Sequence, residues 1–492
     1  MGVVAGVDSS TQSCTVELRD TDTGVLLGTG QAPHPPTTPP VSEQRVEAWW
    51  DALVLAFGRA LEAADLNGRD VDAVSVAAQC HGLVLLDRDG AALRPVKLWN
   101  DTTSSPQARQ MVAELGADAW ADAIGSVPTA AFTITKLAWV AEHEPELLDR
   151  TRTVLLPHDY LNWRLTGEAV TDRSEASGTG YYAAHTGGWL PDLLDQLVTE
   201  KVDWPAVLPA VRGPEEAAGH AITRWARALG LREDVVVGPG AGDQHAAALG
   251  IGLRPGQVLY SLGTSGVVMT TSPTPVHDHG GWVNGVADAA GGYLPLVCTL
   301  NCTKVTDLVA RLLDVDHTEL ARLALNADLR PDRPVLAAYL DGERSPALPA
   351  ARGLLGGLRS DTTREEFARA AFEGVLLGLV RGHRAIQEAG ASADGEVVVA
   401  GGGARSEAYR QILADLLETE VHTRDVAEAT ARGACIQAAA VLHGEPVGAL
   451  RDAWQPSSAS RTGPRDAVPA EIRDRYLSLA CAAGDDPWEN NR

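Results

Sequence analysis

Two aspartates stand where apolar, strand-like runs give way to turns, and each suits chemistry at phosphate. Asp8 closes the run Val3-Val4-Ala5-Gly6-Val7 and precedes Ser9-Ser10-Thr11-Gln12-Ser13. A carboxylate there can hold magnesium through water, since Mg²⁺ takes one or two carboxylates together with waters and phosphate oxygens. It can equally close an Asx turn on the N–H groups that follow. Asp243 follows Asp234-Val235-Val236-Val237 and the turn Gly238-Pro239-Gly240-Ala241-Gly242, where a helix is predicted to start. Aspartate is a good N-cap, but the carboxyl end of a strand in an open α/β sheet is also where ligands bind. A carboxylate so placed can take the proton of a hydroxyl that attacks a phosphoryl group.

Three small-residue turns accompany them: Ser9 to Ser13, Gly263-Thr264-Ser265-Gly266 and Gly401-Gly402-Gly403. Each alone reads as a tight turn; as a set, their backbone N–H groups and hydroxyls suit phosphate without a lysine. None of the four lysines (Lys97, Lys136, Lys201, Lys304) follows a glycine, which excludes a P-loop. His81, in Gln79-Cys80-His81-Gly82, ends another strand-like run and is either structural or a polar contact to a ligand. Trp99-Asn100-Asp101 sets an aromatic face beside an amide and a carboxylate, which suits a sugar, although Trp99 alone also suits a core. No H-E-x-x-H or similar spacing indicates zinc.

The elements that must position these residues alternate between strand and helix. Strands are predicted at 3–7, 14–18, 25–27, 71–77, 83–86, 234–237, 258–262, 267–270 and 396–400, and helices at 46–64, 131–142, 158–165, 244–249, 365–389 and 407–417. That alternation predicts an α/β fold. The similar hairpins near 3–18 and 258–270 suggest a duplicated domain with a boundary near Gly250–Gly256, giving domains 1–249 and 250–492. Pro33 to Pro40 reads as a surface loop.

The 492 residues carry 41 basic and 65 acidic side chains, a net charge of −24. So acidic a chain has no electrostatic footprint for nucleic acid or an anionic membrane. The six cysteines form no C-x-x-C pair and are expected to be buried free thiols, with Cys298 and Cys302 on one helical face. The start of the chain lacks a basic, apolar leader, and no apolar run approaches a membrane span, so a cytoplasmic protein is expected.

Taken in order, several segments resemble the FGGY family of carbohydrate kinases, most closely its members that phosphorylate D-xylulose. They are Val7 to Ser13, Gln79 to Gly82, Leu98 to Asp101, Phe132 to Leu137, Leu155 to Tyr160, Thr171 to Thr179, Gly242-Asp243-Gln244, Ser261 to Gly266, Gly342 to Pro346 and Gly401 to Glu407. The resemblance implies two actin-like (ribonuclease H-like) ATPase domains with the active site in the cleft between them. The first would bind sugar and the second nucleotide. It implies ATP-dependent phosphorylation of D-xylulose to D-xylulose 5-phosphate, with Asp243 as catalytic base and Asp8 as the carboxylate near magnesium and the phosphates. Cys80, His81, Trp99, Asn100, Asp101 and Gln244 would contact the sugar. Thr11, Gln12, Ser13, Gly263, Thr264, Gly401, Gly402 and Ser406 would line the ATP site.

The expected partners are therefore a small sugar and MgATP, with no nucleic acid and no membrane, and a homodimer is one option for assembly. The chain departs from the usual pattern at Thr15, Cys80, Thr103 and Gln244. Gln244 stands where D-xylulose kinases often carry asparagine and glycerol kinases glutamine, which keeps glycerol, another polyol or ketose, or a sugar acid as alternatives. From another class, the same fold serves non-catalytic sugar sensors and chaperone-type ATPases. A DNA-binding sensor needs an added segment, yet the first strand begins by Val3, and too few residues follow 450 for a client-binding domain.

Overall fold

The computed structural model describes residues 2–484 and divides the chain into two compact units. The sequence suggests one boundary, near Gly250–Gly256. Packing gathers Met1–Gly252, Gly285–Tyr293 and Val426–Pro456 into the first unit, and the remaining segments into the second.

The first unit is built on a seven-stranded sheet. Its strands are β1 (Val3–Ser9), β2 (Ser13–Asp20), β3 (Leu26–Pro33), β4 (Ala73–Ala78), β5 (Gly219–His220), β6 (Val236–Val237) and β7 (Ala241–Gly242). The order is β5-β6-β4-β1-β2-β3, with β7 also paired to β4. β1 and β4 run parallel and are buried along nearly their whole lengths, as their unbroken apolar runs require. The helix Val46–Ala64 buries Trp49, Leu53, Ala56, Phe57 and Ala60, a stripe at helical spacing, and ends at Asp65 in the left-handed region (φ 55°).

The second unit repeats the pattern. Six of the seven strands of its sheet are β8 (Val258–Leu262), β9 (Gly266–Thr270), β10 (Tyr293–Thr299), β11 (Val397–Ala400), β12 (Val421–Arg424) and β13 (Ser458–Thr462), in the order β10-β9-β8-β11-β12-β13. In both units a central strand pairs antiparallel with the next strand in sequence on one side and parallel with a later strand on the other. The next pairs outward are antiparallel and parallel respectively in both sheets. The duplication suggested by two short hairpins therefore extends through the sheets. The 25-residue helix Arg364–Glu388 lies in the second core, opened by a Thr363–Glu366 capping box and anchored by Glu373, which pairs with Arg333 and Arg369, each at 2.7 Å.

The cysteine expectations need correcting. Cys298 lies in strand β10 and Cys302 caps the helix Thr303–Leu313, so they share no helical face. Cys481 is exposed rather than buried, and Cys298 is only partly covered.

Candidate active site

In the first unit, three neighbouring strands end together. Register pairs Asp8 with Ala77 across β1 and β4, and Gly242 with Ala78 across β7 and β4. Asp8, the Cys80-His81 pair and Asp243 consequently emerge at the same carboxyl edge, where an open sheet leaves room for a ligand. The helix Asp243–Ile251 is capped by Gly242, so Asp243 occupies its first turn rather than the N-cap.

The Asp243 carboxylate receives two donors on one oxygen: the Gln244 amide at 2.8 Å and the Cys80 thiol at 3.3 Å from Oδ1. Burial pushes its carboxyl up to about 6, and these two donors, with the residue's own amide, oppose that rise. A carboxylate poised near neutrality is suited to general base work. Asp8 is raised further, to about 8, chiefly by burial, with Asp243 and Glu428 adding to the rise against the Ser10 hydroxyl that donates to it. A buried carboxylate raised in this way offers hard oxygen to a divalent cation such as Mg²⁺, which would offset the cost of its charge.

His81 has a left-handed backbone (φ 65°), an uncommon state for a residue with a β-carbon. The Glu175 carboxylate accepts from its amide, the Thr133 hydroxyl donates to its carbonyl at 3.2 Å, and its ring stacks on Phe132 with centroids 5.4 Å apart. The ring is thus fixed before any ligand arrives. Trp99 donates its indole N–H to the Thr11 hydroxyl at 2.8 Å, tying the aromatic cluster to the first turn. In the same turn, the Gln12 carbonyl accepts from His34 at 2.8 Å and the Ser13 hydroxyl from Gln31 at 3.1 Å. Asn100 Oδ1 is buried without a hydrogen-bond partner. Asp101 is differently placed: fully buried, it accepts from the Ser42 amide at 2.9 Å and the Thr103 amide at 3.0 Å, which holds the loop.

Sequence reasoning assigned no role to Glu175, His158 or His245, which lie behind this edge. Cys80, Glu175 and His245 offer ligand atoms within 4.8 Å of one another. His245 Nδ1 and Cys80 Sγ crowd the point where a β-carbon on Gly242 would stand, at 2.5 and 2.6 Å, with Glu175 Oε2 as close. Glu175 falls within the Thr171-to-Thr179 segment, but no local spacing marks it.

In the second unit, the turn after β8 and the glycine turn after β11 also lie side by side, because Ser261 pairs with Ala400. Gly263, Thr264, Gly402 and Ser406 line one cavity of about 1060 Å³, and Gly401 adjoins it with φ 85°. The hydroxyl of Ser406 is buried without a partner. Phe372, Leu325 and Tyr409 give apolar wall, and Asn326, Asp307 and Arg405 polar groups, a mix suited to a base and a phosphate chain. Of these six only Arg405 falls in a segment that the sequence singled out, Gly401 to Glu407; the other five come from separate helices and loops.

The N-terminal domain of the FGGY family of carbohydrate kinases matches residues 3–250, and its C-terminal domain matches residues 258–442. The chain is 44% identical to a xylulose kinase of Streptomyces coelicolor, over 92% of this chain and 90% of that protein. A second xylulose kinase, from Streptomyces rubiginosus, is 43% identical over 92% of this chain and 91% of its own. Among solved structures, the xylulose kinase of Bifidobacterium adolescentis superposes with a TM-score of 0.85 at 37% identity, covering 97% of this chain and 99% of that one. The α/β fold of two sheet-centred domains, expected as actin-like, is the fold of these relatives.

Proposed function

The chain belongs to the FGGY family of carbohydrate kinases, and on that footing we propose that it transfers the γ-phosphoryl group of ATP to D-xylulose, giving D-xylulose 5-phosphate. The observation that carries this reading is the convergence of Asp8, Cys80-His81 and Asp243 at the ends of three adjacent strands. The named activity of its relatives supports D-xylulose as the sugar. His81, Asn100 and Gln244 are assigned to its hydroxyls, and Trp99 to its apolar face.

Asp243 takes the proton from the terminal hydroxyl as that oxygen bonds to the γ-phosphorus and the bond to the bridging oxygen of ADP breaks. The turn N–H groups at Gly263-Thr264 and at Gly402 are assigned to the phosphates, and the cavity of the second unit to adenosine. Magnesium, held by Asp8, would offset phosphate charge. No helix among the described residues is long and apolar enough to cross a membrane. Free thiols throughout the described residues fit a reducing compartment, and we place the reaction in the cytoplasm.

A panel of D-xylulose, D-ribulose, glycerol and gluconate in a coupled ADP-release assay tests the reading. D-Ribulose differs at one hydroxyl, so kcat/KM should fall about 10- to 100-fold through a mismatched polar contact. Glycerol equal to or better than D-xylulose would overturn the sugar while leaving the kinase. Asp243→Asn should lower turnover by about 100-fold or more with little change in sugar affinity; near-normal turnover would remove Asp243 from the chemistry.

A further inference from the structure

We propose that Cys80 is a positioning residue for the base: its thiol donates to Asp243 Oδ1 and leaves Oδ2 as the oxygen that takes the substrate's proton. This deepens the assignment of Asp243 as base and rests on it. The geometry is one-sided. Cys80 Sγ lies 3.3 Å and the Gln244 amide 2.8 Å from the same Oδ1, and the thiol is the side-chain donor among the groups that lower the carboxyl. A carboxylate pinned through one oxygen cannot rotate freely, so its second oxygen holds a fixed direction toward an incoming hydroxyl.

Cys80 is itself held in place. It follows β4, is 9% exposed, and approaches Asp243 past the bare α-carbon of Gly242, where a β-carbon would stand 2.6 Å from the sulfur. A thiol has one proton, and Glu175 is its competing acceptor. Glu175 Oε1 already accepts from the His81 amide, and burial raises its carboxyl to about 8, so near neutrality it carries a proton of its own. Of the two carboxylates, Asp243 is the one whose oxygen meets the thiol at hydrogen-bond distance and angle. Burial, foremost, and the Asp243 carboxylate hold the thiol well above its ordinary range, so it remains a donor at working pH.

The titratable groups around the Asp243 carboxylate are Cys80 after β4, Asp8 at the end of β1, and His245 on its own helix. Glu175 on the helix Arg173–Ala176 and His158 on the helix Pro157–Thr166 stand behind Cys80, and Glu428 leads into the helix Ala429–His443. Of these, the thiol is the side chain that hydrogen-bonds the carboxylate. A bond to the charged form lowers the carboxyl, so its loss lets burial carry Asp243 higher.

The test compares Cys80→Ala and Cys80→Ser in the full chain, with kcat and KM measured across pH by ADP release. In Cys80→Ala, kcat near neutral pH should fall about 3- to 10-fold and the acid-limb midpoint should rise by about half a pH unit or more. The KM for sugar should stay within about twofold, because the lost bond is not to substrate. Cys80→Ser, which keeps an O–H donor, should recover most of both losses. Wild-type kcat and midpoint in the alanine variant, a loss confined to KM, or serine no better than alanine would each overturn the proposal. Asp243→Asn separates the two readings: if it abolishes turnover while Cys80→Ala is unchanged, the base stands and the positioning role falls; if it is near normal, the base reading itself fails.

Discussion

Gly433 packs its bare α-carbon against the backbone of Ala246, where a β-carbon would stand 2.7 Å from the Ala246 carbonyl carbon and nearer still to its oxygen. Gly250 meets Ala429 in the same way, so the helices Asp243–Ile251 and Ala429–His443 cross backbone on backbone. Arg432 fastens the crossing by donating to the Gly250 carbonyl. The helix that begins at the proposed base is therefore set by this contact. Gly433→Ala should force the helices apart, costing about 1–3 kcal/mol, and should lower both the unfolding midpoint and kcat. Gly58→Ala is the control: nothing lies within 4 Å of its β-carbon position in the helix Val46–Ala64, so stability should hold or rise slightly. Equal behaviour of the two variants would show that the crossing does not constrain the base.

What was legible in the sequence follows physical range. The helix Val46–Ala64 was readable end to end because Trp49, Leu53, Ala56 and Ala60 keep helical spacing up to Asp65. The hairpins 3–18 and 258–270 were readable because apolar runs broke at turns of small residues; Asp8 stood out at the first such break, and Asp243 after the run 234–237 and its glycine turn. Glu175, His158 and His245 were not, since only tertiary packing brings them behind Cys80. Asp101 was noticed for its neighbours, but its oxygens are taken by Ser42 and Thr103, partners that the local sequence does not rank. Cys298 and Cys302 misled because a four-residue spacing fits one helical face, whereas Leu294-Pro295-Leu296-Val297 continues as strand and the helix begins only at Thr303.

The glycine turn of the second unit offers a clean test of the nucleotide assignment. Gly402 lines the cavity, and no heavy atom lies within 4 Å of the position its β-carbon would take. Gly402→Val should therefore fold normally while filling space that the nucleotide needs. The KM for ATP should rise about 10-fold or more, equivalent to a loss of about 1.4 kcal/mol, with the sugar KM and the unfolding midpoint unchanged. Unaltered ATP affinity in a folded variant would place the nucleotide elsewhere.

The buried groups behind the base also fix how stability should vary with pH. Burial works against the charge on His158, but Asp159 at 2.9 Å and Asp172 at 3.3 Å outweigh it and raise the imidazole from 6.5 to about 9. Burial raises Glu175 from 4.5 to about 8, and Asp8 moves in the same sense, also to about 8. In each case the folded chain keeps a proton that the unfolded chain has already released. The stability tied to Glu175 and Asp8 is thus full below their unfolded values and lost as pH rises through about 8, and that tied to His158 is full below 6.5 and lost as pH rises through about 9. Urea unfolding of the first unit should accordingly become easier from near neutrality to about pH 9, by a total on the order of a few kcal/mol. Tryptophan fluorescence reads that unit, which holds ten of the twelve tryptophans. Replacing His158 and Glu175 together by glutamine, neutral at every pH, should flatten part of the decline and leave the share of Asp8. A wild-type midpoint that is level or rising over this range would show that the folded state does not hold these protons, and that the charges behind Cys80 are arranged differently.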